Sequence, residues 1–70
     1  MKKTVTSSTV VRVDMEGTQT EINTELNRLK GIAAGVKAQK RRELSDGNKA
    51  VLLFEIDSEK GAALKALLSN

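Results

Sequence analysis

Residues able to do acid–base, nucleophilic or metal chemistry are sparse in this chain. It has no Cys and no His, which removes the commonest general base, the thiolate nucleophile and the usual zinc ligands. A disulfide is excluded for the same reason. Ser and Thr hydroxyls are plentiful, but no motif sets a base beside any of them. The carboxylates Glu55, Asp57 and Glu59 follow one another at intervals of two, a spacing that lets a pair touch a hard cation. Asp57 and Glu59 stand at a helix start, however, where N-capping accounts for them. No G-x-G-x-x-G and no phosphate-loop motif occurs. The chain is expected to be non-enzymatic, with no cofactor and no metal.

The chemistry that remains is binding. Arg28, Lys30, Lys37, Lys40, Arg41 and Arg42 follow one another with no acidic residue between them. Read on a helix, Lys37, Lys40, Arg41 and Arg42 form a basic end that could contact phosphates or another anion. Such contacts supply salt-dependent, sequence-independent affinity. The same four are also what a helix C-terminus favours, as solvated cations facing the negative end of the dipole. Phe54 is the single aromatic residue, which argues against recognition of RNA or single strands by base stacking. A second feature is small residues. At about 100° per residue, Gly31, Ala34, Gly35 and Ala38 share one helix face. That face would let another backbone approach closely, be it a second subunit or a partner. It serves equally as a plain solvent-facing side, or as the place where the helix breaks.

These features need elements to carry them. Residues 4–15 alternate as a strand, with Val5, Val11, Val13 and Met15 on one face. The stretch from Thr4 to Thr9 is polar on both faces and is read as an edge, a frayed end, or a small hairpin turning at Ser7-Ser8. Gly17 then precedes Thr18-Gln19-Thr20-Glu21, a capping box. Ile22, Leu26, Leu29, Ala33 and Val36 recur at helical spacing, and the helix is expected to run to about Leu44. Ser45-Asp46-Gly47-Asn48 supplies a turn. Lys49 to Ile56 reads as a strand apolar on both faces, hence a central one covered on both sides. Asp57-Ser58-Glu59 starts a short helix whose stripe is Ala63, Leu64, Leu67 and Leu68, ending near Asn70.

The expected fold class is α+β: a small β-α-β-α domain over residues 1–70, with one long helix, two main strands and a short C-terminal helix. A domain of 70 residues is marginal alone. Two strands are not a stable sheet, so homo-oligomerisation is expected to complete the fold. With 12 Lys+Arg against 9 Asp+Glu, the net charge is +3, which permits nucleic acid or an acidic partner without demanding either. No apolar run approaches membrane-spanning length. Met1-Lys2-Lys3 lacks the apolar stretch of a signal peptide after it, and a cytoplasmic protein is the simplest expectation.

The functional expectation is therefore a small homo-oligomeric binding protein, most simply a dimer, contacting itself or another protein through Gly31, Ala34, Gly35 and Ala38. Its size and its lack of catalytic motifs suit a phage-type inhibitor or regulator, which needs only a surface. The alternatives are a nucleic-acid-binding protein using Lys37, Lys40, Arg41 and Arg42, or an oligomer holding an anionic small molecule between subunits.

Overall fold

A computed structural model describes residues 1–55 and 58–69, without the side chains of residues 58 and 59. Among the described residues the chain is α+β, with four antiparallel strands and two helices in the order ββαββα. The strands are β1 (Lys2–Ser7), β2 (Val10–Glu16), β3 (Gln39–Asp46) and β4 (Lys49–Glu55); the helices are α1 (Gln19–Gly35) and α2 (Ser58–Leu68). They form one sheet in the order β1-β2-β4-β3.

Of the readings of the N-terminal stretch, the single strand over residues 4–15 is corrected, and the small hairpin is found with its turn one residue beyond Ser7-Ser8. The chain reverses at Ser8 and Thr9, and β1 folds back on β2 with Val5 opposite Val13 and Lys2 opposite Glu16. A pattern of alternating Val and Thr is unchanged by a hairpin between its halves, so periodicity alone cannot reveal the turn. The expectation of two main strands is corrected too, since the described residues form four. Within a single chain, β2 and β4 are neighbours and antiparallel, because β3 intervenes in the sequence between them.

Helix α1 begins as its sequence requires. The Glu21 amide donates to the Thr18 hydroxyl at 3.2 Å, and the Thr18 amide donates to the Glu21 carboxylate at 3.1 Å. These bonds hold the Glu21 carboxyl below its usual range, the Thr18 backbone bond being the largest cause. Ile22, Leu26, Leu29 and Ala33 line its buried face.

The helix does not reach Leu44. The Ala38 amide donates to the Ala33 carbonyl at 2.8 Å and the Lys37 amide to the Ala34 carbonyl at 3.1 Å, with Lys37 at a φ of 59°. That pair of bonds around a left-handed residue is the Schellman ending. Ala38 then packs against the core, which supplies the apolar contact such endings favour. Residues 39–46, polar and rich in Lys and Arg, form β3. Hairpin pairing to β4 through the two-residue loop Gly47-Asn48 overrides their weak strand preference. Gly47 has a φ of 59° with open space where a Cβ would go, so its backbone, not crowding, calls for glycine.

Both helices lie on one face of the sheet. Val11, Val13, Met15, Ala50, Leu52 and Phe54 pack there with Ile22, Leu26, Leu29, Ala33, Leu64 and Leu68. Burying each large aliphatic side chain stabilises the fold by about 1.5–3 kcal/mol. Among the described residues of α2, Gly61, Leu64 and Leu68 are buried, while Ala63 and Leu67 are exposed, which narrows the expected four-residue stripe. The expectation that Lys49 to Ile56 is covered on both sides is corrected as well: Val51 and Leu53 are half-buried on a face that, among the described residues, no helix covers. Ile56, the Asp57 cap, the Asn70 end and the side chain of Glu59 lie outside the described residues. Among those described, no helix is long and apolar enough to cross a membrane.

Candidate interaction surface

Strand alternation and pairing register settle what the uncovered face of the sheet presents. Side chains of directly opposed residues share a face. One row across the sheet holds Thr6, Arg12, Leu53 and Arg42, and the next holds Thr4, Asp14, Val51 and Leu44. A third row holds Lys2, Glu16, Lys49 and Asp46, while Val10, Glu55 and Gln39 close the other side. Val10, Val51 and Leu53 are half-buried, and Leu44 is 49% exposed. The face thus has an apolar centre with a charged surround. Lys2, Arg12, Arg42 and Lys49 balance Asp14, Glu16, Asp46 and Glu55 in number. Arg12 lies along Asp14, its Nε donating to both carboxylate oxygens at 3.1 and 3.0 Å.

The basic run is dispersed by the strand it turns out to occupy. Lys40 pairs opposite Phe54 and so faces the helices, whereas Arg42 pairs opposite Leu53 and faces the uncovered side. Arg41 sits at the bulge between them, and Lys37 is in the αL position after α1. The run is also interleaved with acids in space. Glu43 meets Lys30 at 3.1 Å and Lys40 at 3.4 Å, and its carboxyl is held below its usual range, chiefly by the Lys30 hydrogen bond. Arg28 binds Glu25 at 2.7 Å, and Lys3 reaches the same carboxylate at 2.6 Å. Those bonds, the Arg28 one foremost, lower the Glu25 carboxyl to about 2. The expected single basic helix end is therefore corrected to cations on several faces: Arg28 is tied to Glu25 within α1, Lys40 to Glu43 within β3, and Lys30 reaches from α1 to Glu43 on β3.

The small-residue face is divided as well. Gly31, Ala34 and Gly35 are exposed on the outer side of α1. A Cβ added at Gly31 or Gly35 would meet nothing within 4 Å. Ala38 is past the helix end and packs against the chain's own core, so it does not continue that face.

A groove of ≈ 340 Å³ runs between the end of α1 and α2, walled by Val36, Ala38, Ala63 and Leu67 with Lys37 and Lys60 among its lining residues. Val36 and Leu67 are 43% and 40% exposed. Neither this groove nor the uncovered sheet face was legible beforehand, since both depend on β3 being a strand. The alternation of Val51 and Leu53 with Ala50, Leu52 and Phe54 was the one signal that apolar side chains point both ways from β4.

No protein-family model matches this chain, and no curated protein and no solved structure matches it either.

Proposed function

We propose that this chain is a non-enzymatic protein-binding module that acts as a homo-oligomer, with the uncovered face of its sheet as the contact surface. The observation that carries the reading is Leu44. It stands half-exposed beside Val51 on a sheet face with an apolar centre, while the opposite face is covered by two helices. An antiparallel sheet tolerates one solvated face when that face is polar, and this one is apolar at its middle. Its charges favour a second copy as the occupant. A surface that meets itself about a two-fold axis must be self-complementary, and equal numbers of opposite charges around an apolar centre satisfy that. A phosphate-binding face would instead be uniformly basic.

The nucleic-acid alternative draws less support, because Lys37, Lys40, Arg41 and Arg42 do not share a face. The same dispersal weakens the anionic-ligand alternative. The test is light scattering on the intact chain and on Leu44→Lys. The parent protein is expected to have twice the 7.6 kDa chain mass and the variant to fall toward the single-chain mass. Leu44→Lys retaining the parent's mass would overturn the choice of surface.

A further inference from the structure

The two edges of the sheet are built differently. On β3 the edge carries Lys40, Arg41 and Arg42 in succession and a bulge between Lys40 and Arg42. Charged side chains and bulges are how natural sheets keep foreign strands from adding to an edge. The other edge, β1, has neither defence along its middle. It pairs with β2 over six residues without a shift of register. Its centre is Thr4-Val5-Thr6, three β-branched residues that suit a pleated backbone. Its cations, Lys2 and Lys3, are both at one end, and Lys3 is already bound to Glu25 at 2.6 Å.

We infer that β1 is a seam at which a second copy of this chain adds edge to edge and antiparallel. The result is one continuous eight-stranded sheet, twice the four strands of one chain, with the helices of both copies on the same side. A two-fold axis perpendicular to the sheet keeps each side chain on its own face, so residues pair only with partner residues of matching parity. Centred on Val5, this sets Val5 against the partner's Val5, Thr4 against the partner's Thr6, and Lys3 against the partner's Ser7. The register carries the lysines of the two copies to opposite ends of the seam. It also places Val5, half-buried against the core, where the two cores meet. An unrelated acidic strand would find just one cationic end to face, and nothing else on β1 selects it.

The seam is short, so the contact is weak and dependent on concentration. It leaves the uncovered sheet face free, and its failure is separable from the failure of the face contact, because Val5 points to the helix side. The chain has no cysteine, so single-cysteine variants report proximity cleanly. Directly opposed strand residues have Cβ atoms about 4.5–5.5 Å apart, within modest adjustment of a disulfide. In a glutathione redox buffer, Val5→Cys is expected to give a disulfide-linked dimer at least tenfold faster than Ser45→Cys on β3. Adding Thr4→Lys and Thr6→Lys sets like charges opposite one another and should remove that advantage. A second arm avoids the half-buried position. Thr4→Cys mixed with Thr6→Cys, both at exposed sites, should yield the mixed dimer in preference to either homodimer. Val5→Cys cross-linking no faster than Ser45→Cys, with the circular dichroism of the folded protein, would overturn the seam. So would a statistical mixture in the second arm.

Discussion

Lys37 and Gly47 share one backbone conformation, a φ of 59° at each, though one carries a Cβ and the other does not. Each ends an element. Lys37 closes α1 and sends the chain into β3, and Gly47 turns β3 into β4. The left-handed region costs a residue with a Cβ about 1 kcal/mol and glycine nothing comparable. Lys37→Gly should therefore stabilise the domain by about 1 kcal/mol, or roughly 4–8 °C in melting temperature for a domain of this size. Gly47→Ala should destabilise it by about the same amount. Thermal melts of the two variants check both signs, and a stabilising Gly47→Ala would contradict the turn geometry.

Glu25 ties β1 to α1 through Lys3 and neutralises Arg28. Its carboxyl is depressed from 4.5 to about 2 in the folded protein. A group depressed on folding contributes stability above its unfolded value, and that contribution is lost as pH falls toward the folded value. Urea titrations should accordingly show stability falling between about pH 4.5 and pH 2, with a smaller fall for Glu25→Gln. At pH 7 that variant should be less stable by about 1–2 kcal/mol. Parallel curves for the two proteins would show that Glu25 is not the group responsible.

Gly31 occupies an exposed helix position with no neighbour for an added Cβ. Gly31→Ala should stabilise α1 by about 1 kcal/mol, the usual difference in helix propensity. With the sheet as the contact surface, the mass by light scattering should be unchanged in Gly31→Ala and in Gly35→Leu. A drop in mass for Gly35→Leu would return the contact to the outer side of α1.

Replacing Lys37, Lys40, Arg41 and Arg42 together by Gln removes four charges that point in different directions. Duplex DNA at low salt should bind neither this variant nor the parent protein in a discrete complex. A parent complex that dissolves as salt rises, and is absent in the variant, would establish phosphate contact by these residues.

What the sequence determined by itself was local. The capping box at Thr18 and Glu21, the stripe of Ile22, Leu26, Leu29 and Ala33, a turn within Ser45-Asp46-Gly47-Asn48 and the apolar strand from Lys49 each follow from neighbours within a few residues. Hydrogen-bond reach and helical period operate over that same range. Tertiary structure decided the rest. Residues 39–46 carry helix-compatible Lys, Arg, Glu and Leu, and they become a strand because β4 offers them a ladder and Ala38 is pulled into the core. The Val-Thr alternation at the N-terminus is the same for one strand as for two, and pairing with β2 decides for two. That single change of state for β3 dispersed the basic residues, took Ala38 off the helix face and exposed Leu44 on the sheet. Each of these depends on contacts between residues distant in the chain, whose free energy no local pattern encodes.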